Sequence, residues 1–591
     1  MSNDKIKTII ERVRLNDKSF LFVDLYDTDL TDNDIISFSS ALKENTIIQC
    51  LTIRIKNLGS YMVGMIYLSE ALKVNNSIQT LRVTHGSLGN YIWGLHCLSE
   101  SIKCNTSIQT LDLSSNNLGN CPGGIIFLSE ALKVNGTIQK LILSANNLQE
   151  CSMDLVYISD MLKVNNTIQE LYLGNNNLGY CRDLPEIKYF FDSLKFNSSI
   201  QKLCLDWNYL GNCPKKVKYL SKALRDNDSV RMLNLDGNNL GNCPEGMKHF
   251  SEILGSGTVI QNLCLDANDF GMYSEGMKFL SEFLKNNKTL RKLTLSDNKF
   301  GKCLEGLKHL SDALRVNNSI QIFHFNDNGT LRSHSTDVLY YLSEALKGNT
   351  SIRKLFLANN TFVESCEGMK YLSEALGVNN TIQKLDLSGN DFGEDEYNGM
   401  SYWMKYFSEA LKVNTSIKIL DLNFNGFGVC SDQSGIVYLS EALKINNTIQ
   451  ELHLISNAFG ECDDSDGLRS LFNALKVNTS IKTLRLDDNE LWRGVYPNWI
   501  RHLSDVLMVN TTIQELGMAG NKLRQNRGLK RLMNALATNY SIQEFAVDDF
   551  GDVDDNCFDA ITAVTERNKH NVFLKDCCLF GLLLPELQSH S

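Results

Sequence analysis

Residues 381–393 read TIQKLDLSGNDFG, and nearly the same words stand at 107–119 (SIQTLDLSSNNLG) and 448–460 (TIQELHLISNAFG). With the first leucine of LxLxxN as an anchor, the motif recurs at Leu51, Leu81, Leu111, Leu141, Leu171, Leu203, Leu233, Leu263, Leu293, Phe323, Leu355, Leu385, Leu420, Leu452, Leu484, Leu516 and Phe545. A weaker first copy begins at Val23. Most steps are 30 or 32 residues and one is 35. A fixed period of this size means stacked copies of one supersecondary unit, and it overrides the several domains that 591 residues would otherwise suggest. Inside a unit, LDL alternates as a strand with one buried face does. The later FLSEALKV sets Leu128, Ala131 and Leu132 at i, i+3, i+4, one face of a helix. Each unit therefore reads as strand, turn, helix and return.

Two asparagine columns accompany the period. After the strand, Asn fills one place in fourteen consecutive repeats, from Asn116, Asn146 and Asn176 to Asn489 and Asn521. A reacting residue is not needed in every repeat. A buried amide that donates and accepts across a tight turn is, because buried backbone groups without partners are costly. This column is expected to be a structural ladder. The second column lies six residues before each anchor and holds Asn in sixteen repeats, Asn45 to Asn539, with Gly257 in the other. Asn and Gly both tolerate left-handed backbone, so this column reads as a left-handed helix C-cap. Fifteen of these Asn open N-x-S/T sequons. The start, MSNDKIKTIIERVRLND, lacks the apolar core of a signal peptide, so the sequons read as a by-product of cap and turn rather than as glycosylation sites.

LxLxxNxL followed by a helix ending EALKxNxSI resembles the long, ribonuclease-inhibitor type of leucine-rich repeat, which also builds the sensor arms of NOD-like receptors, Ran GTPase-activating protein and tropomodulins. The resemblance covers roughly residues 20–570. It implies an α/β solenoid, a horseshoe of about 17–18 repeats, with parallel strands on the concave face and helices on the convex face. The curvature agrees with strands stacking about 4.8 Å apart while helices need about 8–10 Å. The expected organisation is an N-terminal cap helix at 1–19, the solenoid at 20–550 and a C-terminal cap at 551–591, with the helix-like stretch 560–572 closing the array. The family's turn reads N-x-LGDxG; here 238–246 reads NNLGNCPEG, two residues longer.

The sequence offers little chemistry. A formal net charge of −10 argues against nucleic acid as the main partner. No apolar run reaches membrane-spanning length; the nearest, 572–587, is broken by Lys575, Asp576 and Pro585. Seventeen cysteines without an export signal suit reduced thiols in a cytoplasmic or nuclear setting. There is no P-loop, H-E-x-x-H, G-x-S-x-G or C-x-x-C, so the chain reads as a non-enzyme that needs no cofactor. Cys121, Cys151, Cys181, Cys213, Cys243, Cys303, Cys430 and Cys462 share one place after the turn. They read as small apolar filler, the alternative being a row of disulfides or soft-metal ligands.

A strand of LxLxx turns its x residues to the concave surface. One such column reads Asp206, Asp236 and Asp266, with Trp207 beside it and Asp297 and Asp327 continuing the acidity one place later. The row is either a solvated face or a docking strip for a basic protein partner, the latter in keeping with the ribonuclease inhibitor's basic partner. Tyr172, His324, Phe356 and Phe424 are expected as exposed aromatic anchors beside it, and His453 is expected at a similar surface position. The longer turns 393–403 and 491–500 form a second candidate, unless their Trp403 and Trp499 simply pack onto the next helix. The leading function is a non-enzymatic protein-binding scaffold using the concave face and edge loops. The alternatives are a GTPase-activating protein of the Ran-activator type, with a small GTPase as partner, and a detached NOD-like-receptor-type sensor arm. The early turns 56–59 and 87–90 give no diagnostic match to the Ran activator.

Overall fold

A computed structural model describes residues 3–27, 30–120, 123–149, 152–180, 185–255, 257–329, 335–362, 366–392, 402–428, 434–460, 466–491, 498–522, 528–547 and 562–569. The chain divides into two compact units, Met1–Asn298 and Lys299–Ser591. In the first, helix α1 (Asn3–Arg14) precedes strands β1 (Phe22–Asp27), β2 (Cys50–Ile55) and so on to β10 (Lys292–Thr294), each parallel to the next. Helices α2 (Asp32–Glu44) to α10 (Ser274–Asn286) return the chain between them. In the second, β11 (Ile322–His324) to β18 (Glu544–Ala546) repeat the arrangement with α11 (Leu304–Val316) to α18 (Leu529–Thr538). The register sets each anchor against the next, as in Leu51↔Leu81↔Leu111 and Leu420↔Leu452↔Leu484. These anchors are buried between strands and helices, all but Phe545, which is half-buried. One strand and one helix per repeat, all strands parallel and every anchor stacked on its neighbour, make a leucine-rich-repeat solenoid, as the period predicts.

The first asparagine column is the expected ladder. Asn146 Oδ1 accepts from the Asn116 N–H (2.9 Å), and its Nδ2 donates to the Leu113 carbonyl one repeat back (2.9 Å). The pattern continues through Asn176, Asn208, Asn238, Asn268 and Asn298, and in the second unit from Asn360 to Asn521. On each side of a ladder Asn the backbone turns left-handed: Ser115 and Asn117 (φ 59° and 54°), Trp207 and Tyr209 (53° and 55°), Asp488 and Glu490 (both 53°). Two such residues point the intervening N–H and amide inward. The turn also brings repeats so close that a Cβ on Gly89 would stand 1.8 Å from the Asn117 carbonyl oxygen, which only glycine permits.

The second column departs from the sequence reading. Its residues are extended, not left-handed: Asn75 has φ −68° and ψ 127°, Asn105 −69° and 137°, Asn317 −72° and 127°. Gly257 is not left-handed either. What the column needs is the side-chain amide. Asn379 Nδ2 donates to the Leu346 and Asn349 carbonyls of the preceding repeat (2.9 and 3.1 Å), while Oδ1 accepts from the Thr381 and Ile382 N–H groups (3.0 and 3.1 Å). It is a second ladder, joining each helix end to the one before it. Where Gly257 interrupts it, Thr258 Oγ1 accepts from the Ile260 N–H (3.2 Å). The described chain ends are tied into the same column: Asn45 Nδ2 reaches the Val13 carbonyl of α1 (2.7 Å), and Asn568 Nδ2 reaches the Asn539 and Ile542 carbonyls (3.1 and 2.6 Å). The sequon amides are thus buried and already engaged.

Replacing Asn379 by Gly removes five side-chain hydrogen bonds, four of them to backbone, and leaves buried backbone groups unpaired. Urea unfolding should register a loss of about 2 kcal/mol or more, similar to that of Asn379→Ala. A Gly variant as stable as the wild type would restore the C-cap reading.

Candidate binding face

On β5 (Lys140–Ile142), β6 (Glu170–Tyr172), β7 (Lys202–Cys204), β8 (Met232–Asn234) and β9 (Asn262–Cys264), alternate residues face away from the helices. Tyr172 is half-buried there rather than exposed. Its hydroxyl donates to Glu170 Oε2 (2.7 Å), and its ring lies between the ammonium groups of Lys140 and Lys202, 4.8 and 4.9 Å from the centroid. Burial, reinforced by the Glu170 hydrogen bond, pushes the phenol up to about 12.

Asp206, Asp236 and Asp266 do share the face, but they are half-buried and mostly bonded to backbone. Asp236 Oδ1 accepts from the Asp266 N–H (2.7 Å), and Asp266 Oδ1 from the Ser296 N–H (2.6 Å). Asp206 leans the other way, over Gly174, where a Cβ would stand 2.4 Å from its Oδ2. The same staple recurs in the second unit, where Asn326, Asn423 and Asp487 accept from Ala358, Ile455 and Ala519. The row is therefore part of the turn's construction as well as a surface. Burial raises all three carboxyls; Asp236, which also faces the charge of Asp266, is pushed up to about 7.

Trp207, Asp297, Asp327 and Phe424 occupy left-handed turn positions (φ 53°, 52°, 53° and 55°) rather than strand positions. Trp207 is 48% exposed and Phe424 59%. The Trp207 ring lies over Gly237, where a Cβ would stand 2.4 Å from Cδ2. Tyr209, on the other side of the ladder Asn, packs against Tyr180 with ring centroids 4.8 Å apart. The sequence reading passes over both tyrosines, although a bulky Tyr209 in a column that holds Asn117, Asn147, Asn177 and Asn239 in neighbouring repeats is the available signal. In the second unit His324 and Phe356 are half-buried and stacked (4.1 Å, 11°), with Lys384 5.3 Å from the Phe356 centroid. His453 Nδ1 stands 3.4 Å from Asp421 Oδ2.

The longer turns give up their tryptophans as anchors. Trp403 is buried against Phe392 (4.0 Å), and Trp499 is buried too. Residues 393–401 and 492–497 lie outside the described residues. Of the cysteine column, Cys213, Cys243 and Cys303 stand at the N-caps of α8 (Pro214–Arg225), α9 (Pro244–Leu254) and α11, Cys243 and Cys303 as free thiols. Cys121, Cys151, Cys181, Cys430 and Cys462 lie outside the described residues. Among the described residues no group of three or more His, Cys, Asp or Glu is placed to hold a metal, and no helix is long and apolar enough to cross a membrane.

No family model and no curated protein matches the chain. Among solved structures it is similar to leiomodin-1 actin-binding site 2, at 18% identity over 28% of this chain and 90% of that one, with a TM-score of 0.21. It is likewise similar to a tropomodulin C-terminal domain of Caenorhabditis elegans, at 18% identity over 29% of this chain and 97% of that one, with a TM-score of 0.25. The repeat geometry carries the fold assignment: strand, left-handed turn around a buried asparagine, helix and asparagine return, stacked as a leucine-rich-repeat solenoid.

Because folding raises the pKa of Asp236 from 3.8 to about 7, the native state holds that proton more tightly than the unfolded chain. Stability should fall as pH rises from about 4 to 7. Asp236→Asn keeps an oxygen for the Asp266 N–H and should flatten that fall in urea titrations. An unchanged slope would place the titration elsewhere.

Proposed function

We propose that the chain is a non-enzymatic, protein-binding scaffold whose first unit recognises a basic partner on the turn-side strip of Asp206, Trp207, Asp236 and Asp266. The observation that carries this is Trp207. A bulky side chain in left-handed backbone costs about 1–2 kcal/mol, and such strain persists where something else is gained. Neighbouring repeats place Ser115, Ala145, Asn175 and Ala267 in that slot, so the turn itself does not ask for Trp. The indole covers Gly237 with one face and leaves much of its surface to solvent. An open indole beside carboxylates suits a lysine or arginine, which gains a cation–π contact and an ion pair together. Asp236 near neutrality adds a consequence: a cation docking there favours its ionised form, so binding should release a proton around pH 7.

The test is binding kinetics with a partner isolated by affinity capture, at two salt concentrations. Trp207→Gly relieves the left-handed strain, so its melting temperature should equal or exceed that of the wild type. Its complex should nevertheless dissociate about tenfold faster or more. Changing the three aspartates to Asn should slow association and flatten its salt dependence. A Trp207→Gly complex with an unchanged lifetime would remove the strip from consideration.

A further inference from the structure

The strip is only half of the charge on this face. Four residues before the aspartate column, the strand starts on the same face read Lys140, Glu170, Lys202, Met232, Asn262 and Lys292, so the basic end lies on β5 to β7 and meets the acidic end, on β7 to β9, at the strand of Lys202 and Asp206. Strand residues two and four apart share a face, so Lys202, Cys204 and Asp206 lie in line. Four residues at roughly 3.3 Å put the basic and acidic rows about 13 Å apart. The row between them reads Ile142, Tyr172, Cys204, Asn234 and Cys264, uncharged throughout, with the two thiols buried. The basic row has a built element in Tyr172. Its ring holds the Lys140 and Lys202 ammoniums at 4.8 and 4.9 Å, and Glu170 accepts the hydrogen bond of the tyrosine hydroxyl and sits 3.4 Å from Lys140. Two cations share one carboxylate across three adjacent strands, which leaves one positive charge uncompensated. The aspartates at the far end are held by backbone N–H groups and by neutral side chains, Asn234 beside Asp236 and Thr294 beside Asp266, and none carries an ion pair among the described residues.

We infer that this face reads a partner segment by charge polarity: an acidic side chain docks on the Lys140–Tyr172–Lys202 cradle while a basic one, about 13 Å away along the strand direction, docks beside Trp207 and the aspartates. The inference rests on the proposed basic-partner strip and narrows the partner to a dipolar protein segment. A uniformly basic segment gains at one row and is repelled at the other, whereas a dipolar one is attracted at both. Lying along the strands, such a segment also covers the uncharged middle row.

The probes are synthetic peptides read by fluorescence anisotropy at low and physiological salt. One is a block peptide, Glu-Glu-Glu-Gly-Ser-Gly-Lys-Lys-Lys. The second has the same composition with Glu and Lys alternating, and the third is oligolysine. The wild type should bind the block peptide at least about threefold more tightly than the alternating one, the gain that two exposed ion pairs supply. Lys140→Gln with Lys202→Gln should abolish that preference and leave oligolysine binding equal or tighter. Lys140→Glu with Lys202→Glu should move the preference to oligolysine, with melting curves confirming that both double variants are folded. Equal binding of block and alternating peptides by the wild type, or oligolysine binding as tightly as the block peptide, overturns the polarity inference. In the latter case, if the triple aspartate-to-asparagine variant then loses oligolysine, the acidic strip stands alone as the reading. If no peptide binds, both readings fall together.

Discussion

A buried primary amide that donates and accepts at once, tying its own repeat to the preceding one, is the interaction on which each repeat depends. Parallel strands of three residues, such as β4 (Thr110–Asp112), offer few ladder hydrogen bonds, and the turns that follow bury backbone groups with no strand to pair them. Asn is the smallest residue with two donors and an acceptor in one plane, so it can serve carbonyls and N–H groups of its own repeat and of the preceding one together. The chain uses this device twice, after the strand and after the helix. Leaving such groups unpaired would cost about 1–3 kcal/mol each. The hydrophobic anchors supply the driving force for stacking, but the amides fix its register.

The same geometry explains where chemical variety is tolerated. The ladder Asn points inward, and the left-handed residues on either side of it point outward without helping to hold the turn. Those positions accept Ser, Ala, Gly, Asp, Trp and Phe in different repeats. Asn and Gly are the residues at ease there, so Trp207 and Phe424 stand out against the local backbone preference. The aspartate row has a mixed character for a related reason. One carboxylate oxygen staples the next repeat through a backbone N–H, which holds the side chain half-buried, and burial in turn raises its pKa. Construction and recognition share the same atoms, and the face carries less charge at neutral pH than three aspartates would in water.

The sequence by itself determined the period, the strand and helix of each unit, the anchor register and the buried role of the column from Asn116 to Asn521, because a pattern repeated about every thirty residues averages out local ambiguity. It did not determine the second column, since an Asn that alternates with one Gly matches a left-handed cap as well as a side-chain ladder. Only the position of the preceding helix end, which brings the Leu346 and Asn349 carbonyls to Asn379, separates the two. The surface was legible as a list of residues but not as an arrangement. Tyr172 becomes a cradle only when β5 and β7 bring Lys140 and Lys202 to its two sides, some thirty residues away in each direction. Trp207 and Asp297 left the strand for the turn because the backbone turns left-handed beside every ladder Asn, and Trp403 and Trp499 went inward because neighbouring elements close over them. A repeat sequence specifies what each unit must be, whereas burial, charge and accessibility arise between units and are decided only when the units are stacked.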